Sequence, residues 1–189
     1  MGLFDKLSGN GSPEVDAAVD TLESGLPDGW RFAGLKDQLV GRRPVKHQTF
    51  GAWAKGPEGP VAALALDPVA AVEELGRLVA GGATLATAWA PPALDRSGEQ
   101  RREPWAALSD TAEEDAARER LEAVLPEGSV LSPLDEERFG PFTIHALTVH
   151  LPDGSGVAAM TTDGLAAYDA MVARLRGELA ASPTWCLRG

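Results

Sequence analysis

The chain is poor in cysteine and histidine, which limits the chemistry open to it. Cys186 is the only cysteine among 189 residues, so an internal disulfide and any site built from several thiolates are excluded. The three histidines are His47, His145 and His150. The last two are five residues apart on a predicted strand, so their side chains point to opposite faces and cannot chelate one ion together. We therefore predict no metal site and no cofactor.

Familiar catalytic and phosphate-binding motifs are missing as well. The sequence has no Gly-x-Ser-x-Gly element, no Walker loop, and no Gly-x-Gly-x-x-Gly segment after a strand. Cys186 falls on a short predicted strand, where a packed thiol is a simpler interpretation than a nucleophile. We predict no catalytic residues, and the sequence favours a protein without enzymatic activity.

Basic residues are scarce relative to acidic ones. Lys and Arg number 17 against 28 Asp and Glu, a net charge of −11. This charge repels polyanions, so we expect no nucleic acid among the partners, whereas basic proteins are attracted. No stretch approaches the roughly 20 apolar residues of a membrane-spanning helix. The first residues lack the apolar region of a secretory signal, so we expect a cytoplasmic protein. The richness in Ala, Gly, Pro and Arg is associated with GC-rich bacterial genomes.

What the chain does contain is an internal repetition. Residues 14–29 (EVDAAVDTLESGLPDG) and 113–128 (EEDAARERLEAVLPEG) are identical at nine of sixteen positions, with an offset of 99. The similarity continues between residues 61–73 and 157–169, which are identical at six of thirteen positions with an offset of 96. Repetition on this scale predicts two copies of one structural unit.

Each copy contains the same succession of local signals. A polar N-cap, Ser12 in the first copy and Asp110 in the second, precedes a helix that the motif Leu-Pro-acidic-Gly ends. An extended stretch and two clearer strands follow, the last two strands being joined by a Pro-acidic-Gly turn. The first of these clearer strands covers residues 49–56 in one copy and 143–150 in the other.

The second half of each copy completes the predicted unit. Asp67 or Asp163 caps a second helix, and a short strand carrying Trp89 or Trp185 closes the copy. We therefore predict an α+β fold of two tandem α-β-β-β-α-β repeats, related by a pseudo-twofold axis, with antiparallel sheets and helices packed on one face. Units of about 80 residues are marginal alone, so we expect the repeats to pack as one compact unit. The predicted segments are a flexible N-terminal arm (1–11), repeat 1 (12–90), a linker (91–109) and repeat 2 (110–189).

One pair of aligned segments breaks the repetition by its charge. Residues 41–48 (GRRPVKHQ) hold the densest basic cluster, whereas the aligned residues 135–142 (DEERFGPF) begin with an acidic cluster. Both segments are predicted as loops. Either they are simply solvated, or they bind an anion or a charged partner, since guanidinium groups pair well with carboxylates and phosphates. The candidate residues are Arg42, Arg43, Lys46 and His47 on the basic loop, and Asp135, Glu136 and Glu137 on the loop of opposite sign.

The N-terminal arm is a second candidate for binding. Leu3, Phe4 and Leu7 fall on one face of a helical turn, and a Gly-rich stretch separates them from the first predicted helix. The pattern is typical of a short docking arm, which binds either the protein itself or a partner. A segment without a fixed structure is the simpler alternative.

Together these observations favour a cytosolic protein-binding module without catalytic activity: an adaptor, a secretion-chaperone-like subunit or an immunity-type protein, with another protein as partner. Two alternatives stay open. One is a small-molecule-binding or hydrolytic protein with a pocket at the pseudo-twofold axis, which would use His47, His145, Glu58 and Asp153. The other is a structural subunit of a larger assembly.

Overall fold

The structure is a computed structural model that describes residues 12–41, 45–96 and 111–189. The described residues form four helices and ten strands, and all named strands pair in an antiparallel manner, which confirms the predicted α+β class. The helices are α1 (Pro13–Gly25), α2 (Pro68–Val79), α3 (Ala112–Glu122) and α4 (Gly164–Leu175). The strands are β1 (Arg31–Val40), β2 (His47–Gly56), β3 (Gly59–Ala65), β4 (Ala88–Trp89), β5 (Leu94–Asp95), β6 (Val130–Leu131), β7 (Asp135–Phe139), β8 (Phe142–His150), β9 (Ser155–Thr161) and β10 (Thr184–Arg188).

Each helix begins after a residue whose side chain accepts a hydrogen bond from a backbone N–H of the first turn. The predicted N-caps Ser12, Asp67 and Asp163 are confirmed, with acceptor distances of 3.3, 2.9 and 2.9 Å. The prediction of Asp110 as the cap of α3 is wrong. Thr111 takes this position, because its backbone is extended and its hydroxyl accepts at 3.1 Å. Among the described residues, no helix has both the length and the apolar character needed to cross a bilayer.

The strands form two sheets that exchange their closing strands. The first sheet has the order β1-β2-β3-β10, and the second has the order β4-β9-β8-β6, with β7 also beside β8 and β5 also beside β9. Strand β4 therefore leaves the first half of the chain to pair with β9. In return, β10 leaves the second half to pair with β3. Neither sheet is complete without a strand from the other half of the chain.

The two sheets face each other across a shared core, and each carries two helices on its outer face. Helices α1 and α2 bury their apolar sides against the first sheet, and α3 and α4 bury theirs against the second. The result is a four-layer arrangement of helices, sheet, sheet and helices, in which apolar surface is removed from water on both sides of each sheet. The core between the sheets includes Val40, Ala62, Leu64, Trp89, Phe139, Phe142, Ile144, Ala146, Ala158, Met160, Trp185 and Leu187.

Two glycines allow the sheets to approach closely at one end. A Cβ atom at Gly51 would overlap the ring of Phe139, and a Cβ atom at Gly140 would lie 2.5 Å from the indole of Trp53. Gly140 also has a φ of 58°, in the left-handed region that favours glycine. The turn between β7 and β8 can therefore rest directly on strand β2.

Part of each segment predicted as a loop is in fact strand. His47 begins β2, two residues before the predicted start of that strand, and residues 135–139 form β7. The reason is the same in both places: each segment pairs with a neighbouring strand, β1 for His47 and β8 for β7. The segment predicted as a linker also contributes a short strand, since β5 pairs with β9.

Candidate functional site

A groove of about 640 Å³ runs between α1 and α2 on the outer side of the first sheet. The buried residues Leu22 and Val72 form its floor, and the half-buried Val79 adds to its apolar surface. Glu14 and Glu73 are exposed and also line it. The groove therefore combines an apolar interior with two carboxylates, and it faces away from the core between the sheets.

Two of the residues that line the groove are glycines, Gly25 at the end of α1 and Gly76 on α2. A Cβ atom at Gly25 would meet nothing within 4 Å, and one at Gly76 would lie 3.4 Å from Cδ1 of Leu22. In the second half of the chain, valine stands at both aligned positions: Val124, just past the end of α3, for Gly25, and Val172 on α4 for Gly76. The two helix pairs thus differ in side-chain volume at matching places.

An ion pair joins α3 and α4 at positions whose aligned residues on α1 and α2 line the groove. Arg120 Nη2 lies 2.9 Å from Asp169 Oδ1. The residues aligned with this pair are Thr21 and Glu73, and both line the groove. Because threonine is short and uncharged, no equivalent ion pair can form between positions 21 and 73.

A tyrosine fills the space between α3 and α4. Tyr168 is 3% exposed, and its hydroxyl donates a 2.9 Å hydrogen bond to Glu114 Oε1. Burial raises the pKa of this phenol, and the hydrogen bond to Glu114 raises it further, so Tyr168 stays protonated as a donor. The aligned residue on α2 is Val72, which has neither the ring nor the hydroxyl.

The basic segment that the sequence singled out lies only partly at the surface. Arg42 and Arg43 are outside the described residues. Lys46 is half-buried, and its carbonyl accepts a 2.8 Å hydrogen bond from Arg96 Nη2. His47 is 1% exposed, so its ring cannot meet a partner at the surface. Of the two described members, only Lys46 keeps any exposure.

The acidic segment lies next to the basic one. Asp135 Oδ2 accepts a 2.9 Å hydrogen bond from the backbone N–H of Gly41. Glu136 is exposed, with Oε2 4.0 Å from His145 Nδ1, and Glu137 is half-buried on the same strand. The two segments of opposite sign are therefore brought together at Asp135, across the boundary between the two halves of the chain.

Two buried histidines lie on strands that end near this boundary. His47 and His150 are each 1% exposed, and neither ring nitrogen of either one has a hydrogen-bond partner within the described part of the chain. Burial, and secondly the charge of Arg96, lower the pKa of His47 to about 4. The imidazole of His47 is therefore neutral at pH 7, and its protonation would place an unpaired charge in the core.

The residues considered for a hydrolytic pocket are not brought together. Glu58 lies exposed in the turn after β2, where its carboxylate contacts Arg188 Nη1 at 2.6 Å. Asp153 lies exposed in the turn after β8, and hydrogen bonds from Ser155 lower its pKa. By alternation along β8, His145 shares the outer face of the second sheet with Leu147 and Val149, whereas His47 lies on β2 of the first sheet. No group of three or more metal-ligating side chains occurs in the described ranges.

The single cysteine is a packed structural residue. Cys186 is 2% exposed, and its Sγ lies 3.6 Å from Oε1 of Glu74. Burial, together with the neighbouring carboxylate, raises the pKa of this thiol to about 12. It stays protonated at physiological pH and has no access to a substrate.

Sequence reasoning did not identify the groove. In the sequence, Gly25 and Gly76 align with valines of the second half. This difference indicates a groove only once α1 and α2 are known to pack side by side. The predicted docking arm, with Leu3, Phe4 and Leu7, lies outside the described residues.

Comparison of the chain with known protein families, with curated proteins and with solved structures finds no match.

Proposed function

We propose that this protein is a non-enzymatic protein-binding module whose binding surface is the groove between α1 and α2. The observation that carries the proposal is the contrast between the two helix pairs: α3 and α4 are joined by Tyr168 and the Arg120–Asp169 pair, whereas the aligned positions of α1 and α2 leave an apolar groove. Exposed apolar surface with a concave shape is unfavourable in water unless a ligand covers it.

The occupant that fits is an amphipathic helix of a partner protein. Helix α1 has 13 residues, so one wall of the groove is about 20 Å long and matches three to four turns of a second helix. The apolar floor at Leu22 and Val72 would receive side chains spaced at i, i+3, i+4 and i+7.

The charge of the groove favours a basic partner helix. Glu14 and Glu73 place two carboxylates at its surface, and the net charge of the chain is −11. Lysine or arginine beside the apolar stripe of the partner would meet these carboxylates. The overall negative charge would also accelerate the encounter with a basic protein.

We further propose that the architecture arose by internal duplication of a unit covering residues 12–90 and 110–189. Four features support it: a similar element order, the exchange of β4 and β10 between sheets, the caps Asp67 and Asp163, and the stacked pair Trp89 and Trp185. The two orders are not identical, because four strands, β6 to β9, lie between α3 and α4, whereas three lie between α1 and α2. In this proposal, one copy kept a filled helix pair for stability, while the other became a binding surface.

The proposal includes a cytoplasmic, bacterial location, and it assigns the protein no catalytic residue, metal, cofactor or nucleic acid. His47, Glu58, His145 and Asp153 lie on different faces and turns of the fold. A hydrolytic site needs its acid, base and nucleophile within hydrogen-bond reach of one substrate, so this separation favours binding over hydrolysis.

A selection with displayed helical peptides tests the proposal on the full chain. The expected winners carry apolar residues at helical spacing together with Lys or Arg. Thr21→Arg should weaken their binding at least tenfold, because an arginine at this position would pair with Glu73 across the groove, as Arg120 pairs with Asp169. Ser24→Arg is the matched control, since Ser24 is exposed on the same helix and does not line the groove.

Two results would contradict the proposal. One is the enrichment of peptides that bind wild type and Thr21→Arg equally well. The other is a selection in which acidic or purely polar peptides prevail.

A further inference from the structure

We infer that residues 1–11 bind in the groove of their own chain, as an intramolecular ligand that a partner must displace. The inference rests on the groove being a binding surface, as proposed above, and it concerns the regulation of that surface.

The arm has the chemistry that the groove selects. Leu3, Phe4 and Leu7 fall at positions i, i+1 and i+4, which places them on one side of a helical turn. Lys6 adds a positive charge beside them. The groove offers the complement, an apolar floor with carboxylates at Glu14 and elsewhere along its edge.

The point of attachment places the arm within reach of the groove. Ser12 caps α1, and α1 is one wall of the groove. Leu7 stands five residues before Ser12, a span of up to about 17 Å in extended chain. Thr21 lies nine residues beyond Ser12, which is about 14 Å along the helix. With residues 3–7 as a helical turn, Phe4 lies up to about 5 Å beyond Leu7, so the apolar side of the arm reaches the level of Thr21.

The connecting residues permit the required reversal of direction. Gly9 and Gly11 lie between Leu7 and the cap, and glycine adopts both signs of φ without steric penalty. A tether of this length holds the arm at an effective concentration in about the millimolar range. A partner helix must therefore bind more tightly than the arm, and its apparent affinity is reduced by the fraction of chains in which the arm occupies the groove.

Disulfide trapping in the full chain tests the inference. Ser8→Cys is combined with Ala17→Cys, which lines the groove, or with Asp16→Cys, which is equally exposed on α1 but does not line it. These substitutions leave the three apolar residues of the arm intact. Cys186 does not interfere, because it is buried. In a glutathione buffer, the intramolecular disulfide should form with at least tenfold preference for position 17 over position 16.

The apolar side chains of the arm should account for this preference. Adding Leu3→Ser and Phe4→Ser to both pairs should bring the ratio close to one while leaving the fold intact. Equal trapping at positions 16 and 17 in the parent pairs overturns the inference, and so does a disulfide-linked dimer, which would place the arm on a second copy.

The outcome separates this inference from the proposed function. In one outcome, the disulfide forms preferentially at position 17 but the selection yields no binding peptide. This result supports the arm as the ligand of the groove and counts against a partner helix. In the other outcome, Thr21→Arg weakens the binding of selected peptides, but the disulfide forms equally at positions 16 and 17. This result supports the partner helix and overturns the inference about the arm.

Discussion

Trp89 and Trp185 stack against each other, with ring centroids 6.2 Å apart and ring planes inclined by 25°. Each indole donates a hydrogen bond to a carbonyl in the closing segment of the other half: Trp89 Nε1 to Ser182 at 2.7 Å and Trp185 Nε1 to Ala86 at 2.8 Å. The two donor residues are 96 positions apart in the sequence, and so are the two acceptor residues. The two halves of the chain therefore make the same contact reciprocally at the place where their closing strands cross.

This reciprocity predicts similar costs for the two tryptophans. Trp89→Leu and Trp185→Leu should each lower the free energy of unfolding by about 2–4 kcal/mol, because each leaves a cavity and an unpaired carbonyl. The double variant should lose about 0.5–1.5 kcal/mol less than the sum of the singles, since the stacking energy is lost only once. Urea unfolding monitored by circular dichroism measures the free energy of unfolding of the two single variants and of the double variant. Strict additivity would show that the stacking contributes nothing.

The exchange of strands predicts that neither half is stable alone. A protease site placed between residues 97 and 110 allows the folded chain to be cut after purification. The two pieces should remain together in gel filtration, because β4 and β10 each complete the sheet of the other half. When the pieces are separated in urea and the urea is removed, neither piece alone should unfold cooperatively. Mixing the two pieces should restore cooperative unfolding. Cooperative unfolding of an isolated piece would contradict the arrangement.

Gly76 should be a site where stability and binding change in opposite directions. Gly76→Ala should raise the free energy of unfolding by about 0.5–1 kcal/mol, since alanine is the better helix former and its Cβ is accommodated 3.4 Å from a flexible leucine terminus. The same methyl group narrows the groove, so selected peptides should bind more weakly. Thermal unfolding measures the change in stability, and titration calorimetry measures the change in peptide affinity. A variant that is less stable but binds peptides unchanged would show that this glycine serves packing instead.

His47 predicts a specific loss of stability in acid. Its pKa is lowered to about 4 from the ordinary value of 6.5, so between these values the unfolded chain takes up a proton that the folded chain does not. The stability from the neutral ring is complete above about pH 6.5 and falls as the pH drops toward 4, by about 3 kcal/mol at most. His47→Leu should flatten this part of the profile measured by urea unfolding.

Gln48→Leu is the control for that measurement, because Gln48 is exposed next to His47 on β2 and carries no titratable group. It should leave the acid dependence between pH 6.5 and 4 close to that of the wild type. If Gln48→Leu flattened the profile and His47→Leu did not, the assignment of the acid response to His47 would be wrong.

The sequence predicted those elements whose causes are local. The caps Ser12, Asp67 and Asp163 begin helices because a short polar side chain can satisfy a free N–H within three residues. The alternation along β8 likewise places His145 and His150 on opposite faces, as predicted. These features depend only on neighbours along the chain.

Features that depend on tertiary contacts could not be predicted from the sequence. The charged neighbours of His47 predicted a loop, yet this residue pairs with Val40 of β1 and is buried. The exchange of β4 and β10 depends on which strands meet after collapse, and no neighbour along the chain decides that pairing. The groove is lined by residues of two separate helices, among them Gly25 of α1 and Gly76 of α2, and neither helix alone reveals it.

The most direct test of the account is an amide NMR titration of the full chain with a selected helical peptide. Gly25 and Gly76 line the groove, whereas Gly41 and Gly140 lie within the two charged segments, 41–48 and 135–142. We predict that the resonances of Gly25 and Gly76 shift on saturation while those of Gly41 and Gly140 stay in place. Shifts confined to Gly41 and Gly140 would contradict the account and assign binding to the charged segments instead.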